Sequence, residues 1–202
     1  MLEGKNISFS YKKGKAVLNN ISLSVSPNER VGIVAPSGYG KSTLAKIMAG
    51  VLRSETGKVV VDGDEDAFGD GYSPVQLICQ NPELAVNPRL RMRETLNEGY
   101  DVDFRTRKAF GIRDEWMERF PCELSGGELQ RFCIVRALGP ETRYLITDEI
   151  TTMLDANTQA LIWKLLLEQA ESRKLGMLVI THNMHLARRV CTRIIELDKM
   201  GR

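Results

Sequence analysis

The sequence lacks any apolar run that could cross a membrane, because charged residues interrupt every apolar stretch before the ~20 residues that a span requires. It also lacks an apolar segment near its start, so secretion is not predicted. No C-x-x-C pair is present, which leaves no basis for a zinc site or dithiol redox chemistry. The four cysteines, Cys79, Cys122, Cys133 and Cys191, are expected to be reduced thiols in a cytoplasmic protein.

A strong charge of either sign is missing as well. Lys and Arg number 28 against 26 Asp and Glu, which gives a net charge of +2 and no reason to expect a nucleic-acid partner. Internal repeats and low-complexity segments are also missing. The remaining features, 202 residues with 43% apolar and 27% charged side chains, are those of one globular domain with a substantial core.

Short apolar runs alternate with segments of helical spacing, which predicts an α/β fold with a mainly parallel sheet covered on both faces. The predicted strands span residues 6–11, 16–25, 30–35, 58–61, 75–79, 143–147 and 177–181, with a turn at 12–15 between the first two. The predicted helices span 41–52, 125–138, 156–174 and 184–190, and residues 83–120 form an irregular helical stretch. In the helix at 41–52, one apolar face is formed by Leu44, Ile47, Met48 and Val51.

The first chemical motif is residues 35–43, A-P-S-G-Y-G-K-S-T, between a predicted strand and a predicted helix. This context is typical of a phosphate-binding loop, whose backbone N–H groups converge on phosphates at the positive end of a helix. Lys41 is predicted to reach the β- and γ-phosphates, and the Ser42 hydroxyl to ligate Mg²⁺. Ala35 replaces the first glycine of the pattern. Alanine is acceptable there only if its φ is negative and its methyl group has space. The predicted binding residues of this loop are Ser37, Gly38, Tyr39, Gly40, Lys41, Ser42 and Thr43.

Two further motifs follow. An apolar strand at 144–147 ends in Asp148 and Glu149, which it delivers to the carboxyl edge of the sheet, where ligands of open α/β folds bind. Upstream, Ser125-Gly126-Gly127-Glu128 fits a capping box and by itself would only mark the start of a helix. Two glycines in a first turn are poor helix formers, and close approach of the backbone to an anion would explain them.

The order of these three motifs resembles the ATP-binding subunit of an ABC transporter, and the resemblance covers nearly the whole chain. It implies a P-loop ATPase that uses ATP and Mg²⁺, with Asp148 as the Walker-B aspartate at the metal and Glu149 as the general base. Ile150 stands where the family usually has proline. A small-molecule P-loop kinase would account for Lys41 but not for Glu149 or the Ser-Gly-Gly-Glu segment.

The resemblance assigns roles to further residues. His182 resembles the family's switch histidine, a γ-phosphate sensor, and Gln80 resembles the Q-loop glutamine that ligates Mg²⁺. Tyr11 resembles the aromatic residue that stacks on adenine, although packing is an alternative. Residues 151–155 resemble the D-loop, in which Asp155 is also suited to cap the next helix. The signature segment, including Ser125, Gly127 and Glu128, would contact ATP held by the P-loop of a second subunit.

The resemblance further implies one ABC ATPase domain over residues 1–202, with an N-terminal antiparallel β subdomain and a helical subdomain at about 83–138 inserted in a RecA-like core. The Q-N-P at 80–82 and N-P-R at 87–89 look like the import ATPases for peptides and nickel. Those importers usually continue beyond the position of Arg202, so a compact variant or a truncated chain is expected.

The expected partners are a second ABC ATPase subunit, identical or related, and a membrane permease on whose cytoplasmic face the chain would lie. A permease helix is predicted to dock in a groove lined by Leu84, Val86 and Met92 and rimmed by arginines. The rim would consist of Arg89, Arg91 and Arg93. The alternative function is a soluble ABC-type ATPase in a non-membrane complex, for example a phosphonate-cleaving assembly.

Overall fold

The computed structural model describes residues 1–12, 15–69, 71–152 and 154–197. Lys13 and Gly14 of the predicted turn and Met153 of the predicted D-loop lie outside these ranges. The strands are β1 (Leu2–Lys12), β2 (Lys15–Val25), β3 (Arg30–Val34), β4 (Thr56–Val61), β5 (Val75–Ile78), β6 (Tyr144–Asp148), β7 (Gly176–Thr181) and β8 (Arg193–Glu196). The helices are α1 (Lys41–Met48), α2 (Met92–Leu96), α3 (Phe104–Ala109), α4 (Gly126–Arg136), α5 (Ala156–Arg173) and α6 (Met184–Val190).

The strands form two sheets, as the sequence predicts. One is antiparallel with the order β2–β1–β4, and the other is parallel with the order β5–β6–β7–β3–β8. Every residue of β6 and β7 is buried, because helices cover both faces of a parallel sheet and its strands become continuous apolar runs. Since β6, β7 and β3 are neighbours, their carboxyl ends bring the residues that follow them to one edge.

The structure differs from the sequence prediction at the end of the first helix and at the last strand. The first helix ends at Met48 rather than at 52, because Gly50 adopts a left-handed φ of 71° that terminates it. Val51 therefore does not share the buried face and is 67% exposed. Strand β8 was missed, because it has four residues at the sheet edge and only its two isoleucines are apolar.

All the regular structure between residues 82 and 136 is helical, made of α2, α3, α4 and three short 3₁₀ turns. Met92 and Phe132 from this region are fully buried in the same apolar cluster as Leu145 of β6 and Ile162 of α5. The predicted lining of the docking groove is therefore wrong at Met92, whose apolar side chain contributes to the core. Leu84 is 83% exposed, and Val86 is partly buried. No helix in the described part of the chain is both long and apolar enough to cross a bilayer.

The edge strand β8 is fixed to the start of β3 by an ion pair. Arg193 donates from Nε to Oε1 of Glu29 over 2.8 Å, and the Ser26 backbone N–H donates to Oε2 over 2.9 Å. Partial burial would raise the pKa of Glu29, but the hydrogen bonds from Arg193 and Ser26 outweigh it and lower the pKa below its usual 4.5. The stabilisation is thus complete above pH 4.5 and is lost as pH falls through the lower folded-state pKa.

We expect Glu29→Gln to lower the free energy of unfolding at pH 7 by about 0.5–1 kcal/mol, the usual size for a partly exposed pair. The difference from the parent protein should shrink at pH 3, below the usual pKa of 4.5, because protonation of Glu29 in the unfolded chain then offsets part of the stabilisation. Urea denaturation at both pH values measures this, with Glu141→Gln at an exposed position as the control. A difference that grows toward low pH would contradict the assignment.

Candidate active site

The glycine loop between β3 and α1 requires glycine at two positions. Gly38 and Gly40 have φ values of 82° and 83°, where residues with a side chain are strained. A Cβ on Gly40 would also lie 2.9 Å from Leu18 Cδ2. Ala35 is not among the residues with positive φ and lies 95% buried in the core, so both conditions for alanine are met. Of the other loop residues, Ser37 is exposed and Tyr39 is half-buried.

Lys41 begins α1 and is almost fully buried. Its ammonium donates to the backbone carbonyls of Ala35 over 2.8 Å and Pro36 over 2.9 Å. These acceptors are neutral dipoles, so an anion reaching the loop would offer the buried charge a stronger, charge-assisted partner. The backbone N–H groups of the first turn of α1 point to the same end of the helix. Together these features are suited to binding an anion.

Asp148, the last residue of β6, is buried, and its Oδ1 has no hydrogen-bond partner. Burial raises the pKa of Asp148 above its ordinary value and the nearby Glu149 charge raises it further, whereas a hydrogen bond from Ser42 opposes both. A buried carboxylate oxygen without a hydrogen-bond partner destabilises the fold. The Asp148 carboxylate and the Ser42 hydroxyl together, however, offer oxygen ligands of the kind that a hard divalent cation prefers. The residues present therefore fit Mg²⁺, whose predicted third ligand is Gln80.

Glu149 is held by hydrogen bonds from both sides. Gln80 Nε2 donates to Glu149 Oε2 over 3.2 Å, and His182 Nδ1 lies 2.9 Å from Glu149 Oε1. These three residues follow β5, β6 and β7, which are adjacent in the sheet. Glu149 also has a φ of 50°, an unfavourable conformation for a long side chain that tends to occur at functional sites. The structure thus brings together three predicted site residues from distant parts of the sequence.

Tyr11 and Thr43 are also in contact, through hydroxyl oxygens 3.1 Å apart. The ring of Tyr11 packs edge-on against Phe9 at 4.9 Å between centroids, yet 62% of the residue is exposed. Packing against Phe9 thus leaves an accessible aromatic surface next to the start of α1. Such a surface can stack on a planar base.

The Ser-Gly-Gly-Glu segment forms the start of α4. The hydroxyl of Ser125 accepts from the Glu128 N–H, and the Glu128 carboxylate accepts from the Ser125 N–H over 2.8 Å, which completes a capping box. This backbone hydrogen bond lowers the pKa of Glu128 below its usual range. A Cβ on Gly127 would lie 2.8 Å from Leu154 Cδ2, so packing within the chain also favours glycine there. No hydrogen bond in the described ranges joins this segment to Lys41 or Glu149.

Asp155 caps α5, as its alternative interpretation predicts. Its side chain accepts from the backbone N–H groups of Asn157 and Thr158, both over 3.0 Å. Hydrogen bonds from the Thr158 hydroxyl and N–H lower the pKa of this carboxyl. The carboxylate is nevertheless exposed, so capping leaves its surface accessible.

One buried polar residue near the site was missed from the sequence. Gln130 of α4 is 2% exposed and donates to the carbonyl of Cys79, which immediately precedes Gln80. It thereby links the start of the Gln80 loop to the helix that begins at Ser125. The sequence feature that could have indicated Gln130 is its position as an uncharged polar residue between Leu129 and Phe132, which are both fully buried in this helix.

The comparisons with known proteins agree with one another. A family model described as ABC transporter matches residues 18–152. The nickel import ATP-binding protein NikE of Escherichia coli (strain K12) is 33% identical over 91% of this chain and 75% of NikE, and NikE of Shigella boydii gives the same values.

Solved structures are similar over almost the whole chain. An ATP-binding cassette solved as a dimer in a post-hydrolysis state with ADP and Pi has a TM-score of 0.83 and 27% identity, covering 97% of this chain and 94% of that one. The cbiO1 protein of Clostridium perfringens, part of the transporter complex cbiONQ, has a TM-score of 0.76 over 97% of this chain and 84% of its own. At 21% identity the latter likeness is one of fold.

Proposed function

Since this chain belongs to the ABC transporter family and is an ABC-type ATPase, we propose that it is the motor subunit of an importer. The observation that best supports the role of an ATP-hydrolysing motor is Glu149, held between Gln80 and His182 beside the buried Asp148, and the importer role is supported by the similarity to NikE. That arrangement suits a carboxylate that activates water next to a bound triphosphate.

ATP binding in this proposal uses the loop between β3 and α1. Lys41 exchanges the carbonyls of Ala35 and Pro36 for β- and γ-phosphate oxygens, and the N–H groups at the start of α1 bind the phosphates. Tyr11 stacks on the adenine ring. Ser42, Asp148 and Gln80 would hold Mg²⁺, which would supply positive charge to neutralise the phosphates. Ser37, Gly38, Tyr39 and Gly40 form the surrounding loop.

Hydrolysis depends on Glu149 accepting a proton from the attacking water. Hydrogen bonds with Gln80 and His182 restrain its carboxylate, so less side-chain entropy has to be lost when it is oriented toward the water. His182 is 56% exposed, which leaves it accessible to a γ-phosphate on the open side of the site. We assign His182 to that contact and Glu149 to the proton transfer.

The working unit is a dimer in which each ATP lies between two subunits. Ser125, Gly127 and Glu128 would contact the phosphates bound by the partner's loop, since the segment begins a helix, whose N-terminal end favours an anion, and no hydrogen bond in the described ranges joins it to Lys41 of its own chain. Asp155 would contact the partner. The dimeric relative with ADP and Pi supports this arrangement.

The cargo is proposed to be nickel or another metal chelate, by similarity to NikE, or a peptide, by the motifs at 80–82 and 87–89, and the chain would lie on the cytoplasmic face of the membrane. We propose one ABC ATPase domain over residues 1–202, with a helical subdomain at about 83–138 that moves with the permease. An affinity-tagged chain should recover a multi-span permease from detergent-solubilised membranes. Recovery of soluble partners alone would contradict an importer and favour an ATPase of a soluble complex.

We expect Leu84→Asp to uncouple the motor from its permease. Leu84 is the most exposed large apolar side chain in the described chain and follows Gln80 by four residues, which suits an anchor for a permease helix. Permease-stimulated ATP hydrolysis and transport should fall about tenfold or more. Basal hydrolysis by the isolated subunit should stay within about twofold, because the Leu84 side chain is largely exposed to solvent rather than packed in the site.

The matched control is Phe104→Asp, which places the same charge at another exposed apolar position of the helical region. Both variants are compared in proteoliposomes that contain the purified permease. Normal transport by Leu84→Asp would move the docking surface elsewhere.

A further inference from the structure

The segment between Glu149 and α5 helps to determine where the proposed base lies, and its described residues, 150–152 and 154–155, belong to no helix or strand. The Glu149 N–H donates to the Ile180 carbonyl over 3.0 Å, and the Thr152 N–H donates to the Glu149 carbonyl over 3.3 Å. The Thr152 hydroxyl also donates to the Glu149 carbonyl, and the Leu154 N–H donates to the Thr151 carbonyl, both over 3.1 Å. The positive φ of Glu149 is unfavourable, so contacts from outside the segment that hold these residues in place also help to maintain it.

Helix α5 provides two such contacts. The indole N–H of Trp163 donates to Thr151 Oγ1 over 3.2 Å, and Gln159 Nε2 donates to the Leu154 carbonyl over 2.9 Å. Trp163 and Thr151 are 6% and 4% exposed, so water cannot easily replace this hydrogen bond. Thr151, the acceptor of this bond, lies two residues from Glu149 in the sequence.

The opposite side of the segment is not closely packed. A cavity of about 280 Å³ separates Thr151 and Trp163 from His182 and Leu186 of the β7–α6 region, and Glu149 itself lines it. The directional bond from the indole is one of the contacts that hold Thr151 beside this cavity.

We propose that Trp163 is a positioning residue for hydrolysis, acting through Thr151 to hold Glu149 in its reactive orientation. This inference rests on the proposed role of Glu149 as the base. The competing explanation is that Trp163 merely fills the core, since its ring belongs to the apolar cluster around Phe132 and Ile162. If Trp163 is a positioning residue, hydrolysis depends on its indole N–H. If it only fills the core, hydrolysis depends on the ring alone.

The test is a double-mutant cycle. Trp163→Phe keeps an aromatic ring without the donor, and Thr151→Val keeps the shape of threonine without the acceptor. Each should lower kcat about fivefold, the effect of one ordinary hydrogen bond, with KM for ATP within about twofold. The double variant should be no slower than the slower single variant, because both changes remove the same interaction. Trp116→Phe, at a buried indole in the helical region, should leave kcat unchanged.

Several outcomes would overturn the proposal: an unchanged kcat in either single variant, multiplicative losses in the double variant, or a loss confined to KM. If Trp163→Phe does not fold, the pair Thr151→Ser and Thr151→Val decides, since only the serine keeps the acceptor. Equal kcat in that pair would also overturn it. Glu149→Gln is measured alongside: full activity of Glu149→Gln would refute the proposed function, whereas its inactivity with a normal Trp163→Phe would refute the positioning role alone.

Discussion

Glu149→Gln is expected to leave ATP binding intact while hydrolysis falls by about two to four orders of magnitude, the usual effect of removing a general base. Glutamine keeps the length of the side chain and can still accept a hydrogen bond from Gln80, but it cannot take a proton from water. The loop keeps its shape because the positive φ at position 149 is equally unfavourable for both residues. ATP should then accumulate in a stable dimer.

Phosphate release and size-exclusion chromatography with ATP measure the two effects. Glu171→Gln, on the exposed surface of α5, is the matched control and should hydrolyse ATP normally as a monomer–dimer mixture like the parent. Near-normal turnover in Glu149→Gln would exclude Glu149 as the base and would direct attention to His182.

Lys41→Ala and Ser125→Arg are expected to abolish hydrolysis for different reasons. Removing the buried ammonium should weaken ATP binding by the monomer about 10- to 100-fold, the range for a charge-assisted hydrogen bond. Ser125→Arg should leave that binding within about twofold, because Ser125 contacts the turn of its own helix rather than the loop around Lys41. It should instead prevent the ATP-dependent dimer.

Isothermal titration with ATP and size-exclusion chromatography separate the two defects. Ser125→Arg also removes a helix cap, which costs about 1 kcal/mol. Asp103→Arg removes a comparable cap from α3 and controls for that loss. Weakened monomer binding in Ser125→Arg, as severe as in Lys41→Ala, would show that Ser125 does not act across an interface.

The parts of the fold that the sequence predicts are those in which one local rule dominates. Buried strands such as β6 are apolar throughout, and the two glycine-loop positions with positive φ admit little except glycine. The structure differs from the sequence prediction where a long-range contact outweighs the local residue pattern. Met92 lies among arginines in sequence but is buried by the packing of α2 on α4. Residue periodicity could not predict this burial.

The same distinction applies to the site. Gln80, Glu149 and His182 could be named from motifs, but their mutual hydrogen bonds depend on the strand order of the sheet. The hydrogen bond from Trp163 to Thr151 joins positions twelve residues apart across a loop and a helix turn, and no spacing rule predicts it. Gly127 has two compatible explanations, anion approach and contact with Leu154, and only the second could be observed within one chain.

The central claim, an ATP site completed by a second subunit, is tested most directly by mixing the two inactive variants. In a dimer of one Lys41→Ala chain and one Ser125→Arg chain, one site contains both mutations and the other contains neither. An equimolar mixture should therefore regain on the order of a quarter of parent hydrolysis, since about half the dimers are mixed and each has one intact site. If the two residues acted within the same subunit, every site would carry a mutation. The mixture would then stay as inactive as its components, which would contradict the account.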